Sequence, residues 1–216
     1  MTVYRLNKAL VFPAVTEAEP DGLLAVGGDL SVERLLLAYR SGIFPWYEAG
    51  VTIFWWSPDP RFVLFPLEMR VSSSLGRLVR NGPFTVTFDK DFAAVMAQCG
   101  RVPRKDQEGT WITPEMEAAY GELHRLGHAH SVEVWNGERL VGGLYGIELG
   151  RVYFGESMFM LEPNASKVGF VKLVEGLVAR GCELIDCQVH TGHLERFGAR
   201  YVKRGEFLKR LAGAIA

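Results

Sequence analysis

The chain has 216 residues, 48% hydrophobic and 23% charged, with 24 Lys and Arg against 25 Asp and Glu. These values exclude a disordered or fibrous chain, and the length allows one large domain, or a domain with a smaller companion, to bury a core without staples. A formal net charge of −1 excludes a globally basic nucleic-acid coat but leaves room for a local basic patch. Cys99, Cys182 and Cys187 have the spacing of neither a disulfide framework nor a zinc knuckle, so buried thiols in a reducing compartment are expected. No apolar run reaches the roughly 18 residues of a membrane span and no signal-peptide core is evident, so a soluble, cytoplasmic protein is expected.

In chain order, Asp29 or Ser31 can cap a helix over SVERLLLAYRSG, where Val32, Leu35, Leu36 and Tyr39 recur at helical spacing until Gly42. The next stretch, 42–66, frames Trp46, Trp55 and Trp56 with prolines and glycines. Pro58 and Pro60 forbid a continuous helix there, and IFWW and RFVLF read as short strands. A helix over Ser73–Arg80 stops at Asn81-Gly82, FTVTF alternates as a strand, and DKDFAAVMAQCG reads as a capped helix. Thr113 caps a helix that opens at Pro114 and stops at Gly127. Three strand signals follow, AHSVEVW, RLVGGLYGIEL and RVYFGESMF, punctuated by Asn136-Gly137 and Leu149-Gly150. Asn164 then caps a helix to Arg180, CELIDCQV reads as a strand, and a short helix near His193–Phe197 precedes a basic C-terminal helix.

Meander, helix, strand, helix is an α+β order. It resembles the fold of the acetyl-CoA-dependent N-acetyltransferases (GNAT type). Those proteins hold pyrophosphate on a glycine-rich turn before the main helix, and ESMFMLEPNASKVG contains no such turn. An acyl donor other than coenzyme A is therefore expected on that scaffold.

The near-neutral charge is a cancellation. Residues 1–69 carry 5 basic and 8 acidic residues, 70–105 carry 7 and 2, 106–162 carry 3 and 10, and the remainder 9 and 5. The net charges are thus −3, +5, −7 and +4. Such blocks suit two partners of opposite sign, although charged helix faces also produce them.

Four constellations can carry chemistry. Asp186-Cys187-Gln188 sits in a strand signal, so Asp186 and Gln188 share one face and Cys187 takes the other; a carboxylate beside an amide can hold an amine. A polar face turned to solvent is the plainer account of the pair. Glu156 lies in an apolar strand, where an acid is costly unless paired, so it is a substrate contact or an exposed-face residue. Trp111, after a glycine, is a candidate platform for a base, with core packing as the plainer account. The five histidines offer no complete ligand set, so no metal is expected, and a Cys187–His190 nucleophile is disfavoured by strand alternation.

Taken together, GLLAVGGDLS, GIFPWY, WWSPDPR, EGTWIT, LGHAHSVEVW, LVGGLYG, GESMF, NASK and LIDCQV resemble the bacterial leucyl/phenylalanyl-tRNA–protein transferases over most of the chain. The resemblance implies a small N-terminal domain (1–62) followed by an acetyltransferase-like catalytic domain (63–216). It implies an aminoacyltransferase that moves Leu, Phe or Met from aminoacyl-tRNA to the N-terminal Arg or Lys of a protein, creating an N-degron, with no cofactor. It implies Asp186 as general base or orienting group and Gln188 as relay, with Glu156 helping to hold donor or acceptor. Trp46 and Trp111 would contact the aminoacyl-adenosine, and Arg77 and Arg80 would meet the tRNA, in a stretch sparser in charge than the family's. Tyr145, Met158, Phe159, Phe170 and Ile185 are the candidates for the pocket that takes the donor side chain.

Overall fold

The computed structural model describes residues 3–101 and 112–215. Four short strands, β1 (Tyr4–Leu6), β2 (Leu23–Gly27), β3 (Phe44–Pro45) and β4 (Phe54–Trp56), form an N-terminal sheet ordered β1-β2-β4-β3. Between β2 and β3 runs α1 (Val32–Arg40), which buries Leu35, Ala38 and Tyr39, three positions on one helical face. Ser31 occupies its N-cap position without a side-chain cap, because the Ser31 hydroxyl donates back to Asp29 at 2.5 Å.

The strands β5 (Arg61–Leu64), β6 (Phe84–Phe88), β7 (Ala129–Asn136), β8 (Arg139–Leu149), β9 (Val152–Met160), β10 (Leu184–Gln188) and β11 (Arg200–Val202) form a seven-stranded sheet ordered β11-β5-β10-β9-β8-β7-β6. Strand alternation divides its side chains between two cores. On one face Tyr145, Phe154 and Leu184 join a cluster with α1, α3 (Phe92–Arg101), α4 (Pro114–Arg125), α7 (Arg204–Ala214) and the N-terminal sheet. On the other face Leu144, Tyr153 and Ile185 pack with α5 (Ala165–Ala179) and α6 (Gly192–Arg196), and α2 (Ser73–Asn81) covers α5 through Leu75 and Val79. The first cluster thus spans both sheets, and β5 straddles position 62/63. The α+β expectation holds, with the meander β7–β8–β9 followed by α5 and then β10 parallel to β9.

Two glycines let the site form. A Cβ at Gly142 would sit 2.7 Å from that of Ala165, so the start of α5 rests directly on β8. A Cβ at Gly146 would meet the Phe154 carbonyl oxygen at 2.2 Å, where β8 and β9 shift register. Parallel pairing of β9 and β10 ends at Asp186 opposite Phe154. Beyond that point β9 continues along β8 to Met160, whereas Gln188 of β10 is opposite Phe62 of β5. The sheet is split there.

The structure departs from the sequence reading at several places. β1, β2, β3 and β11 are too short, or too uniformly apolar, to show alternation. Asn164 occupies the N-cap position of α5 but makes no side-chain cap bond: its backbone is left-handed at φ 69, and its side-chain oxygen accepts from Lys167 Nζ at 2.8 Å. Of the three tryptophans, Trp55 is fully buried and donates to the Gly27 carbonyl, while Trp46 is 42% exposed. Among the described residues, no helix is long and apolar enough to cross a membrane.

Candidate active site

The split between β9 and β10 opens a cavity of about 660 Å³ that reaches from Phe44–Trp46 on one face to Ser166, Lys167 and Phe170 on the other. A β-bulge shapes its wall. Tyr145 lies opposite Ser157 and Gly146 opposite Gly155, which leaves Glu156 as the extra residue on β9. The bulge turns the Glu156 carboxylate inward among aromatic side chains instead of out to solvent. Tyr145, Met158, Phe159, Phe170 and Ile185, the five apolar candidates, all line this cavity, as do Glu156, Gln188 and Trp46.

Glu156 is held by groups from distant parts of the chain. Its Oε1 accepts from Tyr39 Oη of α1 at 2.8 Å and from Gln188 Nε2 at 2.8 Å, and its Oε2 accepts from Tyr120 Oη of α4 at 3.1 Å. The two phenol oxygens are 2.5 Å apart. Burial pushes the Glu156 carboxyl up to about 7, against the opposing pull of these three hydrogen bonds. Burial first, and then the Glu156 charge, pushes both phenols up, so they remain donors.

Asp186 is placed differently from its neighbours. It is completely buried, and its carboxylate is gripped by Arg61, Nε to Oδ1 at 2.9 Å and Nη2 to Oδ2 at 2.8 Å. The Arg61 guanidinium lies between Phe44 and Phe207, 4.6 and 4.8 Å from their ring centres. Asp186 Oδ1 also accepts from the backbone N–H of Gln188 at 2.9 Å. That bond holds Gln188 in a left-handed conformation, φ 61, which residues with a Cβ adopt rarely. Simple alternation therefore fails at this strand end. Cys187 and Gln188 both line the cavity, whereas Asp186 does not.

Arg77 and Arg80 are exposed on α2, outside the cavity. Trp111 lies outside the described residues. Cys187 is 7% exposed and burial pushes its thiol up, while His190 is engaged with Glu195 at 3.2 Å. Neither feature suits a nucleophile–base pair. Cys187→Ala is accordingly expected to change kcat/KM for acyl transfer by less than about tenfold, the scale of a small pocket alteration. A loss of several orders of magnitude in steady-state assays would instead point to a covalent intermediate.

Sequence reading missed Tyr39, Tyr120 and Arg61 as site residues. Arg61 lay in WWSPDPR, where it read as part of a strand, and Tyr39 in SVERLLLAYRSG, where it read as an apolar helix position.

Residues 63–212 match the family described as Leucyl/phenylalanyl-tRNA protein transferase, and residues 28–59 match its N-terminal domain. The leucyl/phenylalanyl-tRNA–protein transferase of Syntrophobacter fumaroxidans is 58% identical over 215 residues, covering 100% of this chain and 92% of that one. The protein of the same name from Azotobacter vinelandii is 59% identical over 201 residues, covering 92% of this chain and 88% of the relative. Among solved structures, a GCN5-related N-acetyltransferase from Kribbella flavida aligns at a TM-score of 0.40 and 10% identity, covering 77% of this chain and 59% of the other. With the family matched over most of its length and relatives of this identity spanning it, the chain belongs to the leucyl/phenylalanyl-tRNA–protein transferases.

Proposed function

We propose that this chain transfers Leu, Phe or Met from aminoacyl-tRNA to the N-terminal amine of a protein that begins with Arg or Lys, a cytoplasmic step that creates an N-degron. The observation that carries the reading is the orientation of Gln188 in a largely apolar cavity. Its amide nitrogen is committed to Glu156, which leaves its carbonyl oxygen to accept from an entering amine. Met158, Phe159, Phe170 and Ile185 offer the donor side chain an apolar surface. Exposed Trp46 at the rim offers the terminal adenine a face to stack on, and Trp111 is assigned the same kind of contact. Arg77 and Arg80 are assigned to the tRNA phosphates.

The ester of the donor is already activated, so the protein's task is placement and electrostatics. The amine nitrogen attacks the ester carbonyl, the N–C bond forms, the bond to the ribose oxygen breaks, and the amine proton ends on that oxygen. An α-amine of ordinary pKa, about 7.7–8.0, is partly neutral near pH 7.5 and needs orientation more than deprotonation. Gln188 supplies the orientation through its carbonyl, and Glu156 strengthens that carbonyl as an acceptor by drawing on the other end of the amide. Asp186 acts through Gln188 as a positioning residue, its own oxygens being occupied by Arg61. The acidic 106–162 block favours a cationic first residue on the acceptor.

With labelled Leu-tRNA, label is expected on a peptide beginning with Arg and not on the same peptide beginning with Asp. No label on either, with a competent donor, would overturn the reading. Equal labelling of both would remove the acceptor preference.

A further inference from the structure

A second cavity, about 250 Å³, adjoins the first, and Lys167 and His193 line both. Its walls come from the starts of α2 and α5 and from α6. Arg70, Lys167 and Arg196 bring three cations to it, Ser72 and Ser74 bring hydroxyls, and no carboxylate appears among its described lining residues. Neither Arg70 nor Arg196 makes a salt bridge among the described residues, and Lys167 Nζ bonds only to the neutral Asn164 side chain. Among the described residues no carboxylate lines the hollow to neutralise this charge, and the one that feels Arg70, Glu68, is hydrogen-bonded to Arg200 outside it. His193 registers the same field. Burial, then the charges of Lys167 and Arg196, hold its imidazole below its usual range, and its Nε2 is buried with no partner among the described residues. Ser72 Oγ accepts from the Leu75 backbone N–H at 3.3 Å and shares a 3.2 Å hydrogen bond with Ser74 Oγ, so at most one hydroxyl proton of the pair is left for a ligand. Three cations without an ion pair among the described residues, a hydroxyl pair and an unpartnered imidazole nitrogen around one small volume suit a phosphate group.

Given the proposed reading of the first cavity, the occupant follows from connectivity. If the aminoacyl-adenosine fills the split between β9 and β10, the next group along the donor is the phosphodiester on the 5′ side of that adenosine. We infer that the hollow lined by Arg70, Lys167, His193 and Arg196 holds this terminal phosphodiester, fixing how far the acceptor end enters. The exposed Arg77 and Arg80, further along α2, would then meet only phosphates deeper in the stem.

The test uses the full chain and two non-hydrolysable donors, 3′-phenylalanylamino-adenosine with and without a 5′-phosphate methyl ester. The phosphorylated compound is expected to bind about tenfold tighter, the effect of one charge-assisted contact set, and this preference should shrink as salt rises. In Arg70→Ala/Arg196→Ala the preference should fall below about twofold, while the affinity for the unphosphorylated compound and the thermal midpoint stay unchanged. Equal affinities in the wild type overturn the inference and leave the donor reading standing. A preference that survives the double substitution also overturns it, as does inorganic phosphate binding at the hollow without discrimination between the two donors. Failure of both compounds to bind overturns the inference together with the donor reading.

Discussion

Asp186→Ala is expected to lower the unfolding free energy by about 3–5 kcal/mol and kcat/KM by about a hundredfold. The stability loss arises because the substitution strands Arg61, which is 1% exposed and already has one guanidinium nitrogen, Nη1, without a partner. Its contacts with Phe44 and Phe207 return part of the lost interaction but cannot accept a hydrogen bond. The activity loss has a separate cause. Without Oδ1 the Gln188 backbone N–H loses its acceptor, and only the side-chain bond to Glu156 and the pairing with β5 then oppose relaxation of Gln188 from φ 61 toward an ordinary conformation. Denaturant melts and steady-state kinetics read the two effects independently.

Two further variants separate a structural from a chemical role. Removing both charges, as in Arg61→Met/Asp186→Leu, should recover most of the stability lost by Asp186→Ala, since a buried ion pair replaced by apolar side chains of similar size is often neutral. It should not recover kcat/KM, because the Gln188 backbone N–H still lacks its acceptor. Asp186→Asn retains an oxygen for the Gln188 N–H and should keep more activity than Asp186→Ala, with the ascending limb of the pH–rate profile kept but moved toward lower pH, because the Asp186 charge helps to raise the Glu156 carboxyl. Loss of an ascending limb in Asp186→Asn would instead make Asp186 the proton acceptor and sink its assignment as a positioning residue.

Much of this site was legible because its members advertise themselves locally. Glu156 stands out as an acid in the apolar run VYFGESMF, and Asp186 and Gln188 as polar residues in LIDCQV. The long elements were legible for the same reason: α4 carries its cap at Thr113 and its proline at the first turn, and β7 to β9 carry glycine punctuation. What holds these residues was not legible, because it depends on contacts between distant segments. Tyr39 is separated from Glu156 by 117 positions and Arg61 from Asp186 by 125. Tyr39 reads as one more apolar position on an amphipathic helix, and Arg61 as a strand residue after a proline. Two backbone features were equally hidden. The bulge that turns Glu156 inward and the left-handed turn at Gln188 each break the period of two on which strand reading rests. Both breaks fall at the site, where local regularity gives way to positioning.

Glu156→Gln is expected to lower kcat/KM about a hundredfold at pH 8, the usual scale for removing one preorganised electrostatic partner, and only about tenfold at pH 6. The convergence follows from the Glu156 carboxyl, which burial raises to about 7. At pH 6 most of the wild type already carries the proton and resembles the variant. Transfer in the wild type therefore requires two deprotonations, of Glu156 and of the acceptor amine, and log kcat/KM should rise with a slope near 2 below pH 6.5. The variant requires only the amine, and its slope should be near 1. Parallel profiles with a constant ratio would remove Glu156 from the acid–base chemistry. Stability should move the other way. Between the ordinary value of 4.5 and about 7 the folded chain keeps a proton that the unfolded chain has released, so wild-type stability falls as pH rises through that window and levels off above it. The total contribution is roughly 3 kcal/mol at the usual conversion per pKa unit. Glu156→Gln abolishes this dependence, so its stability relative to wild type should improve from pH 5 to about pH 7 in denaturant melts and level off above that. A substitution that gains stability over the same pH range in which its catalytic deficit grows is the signature of a carboxylate kept buried for the charge it carries when ionised.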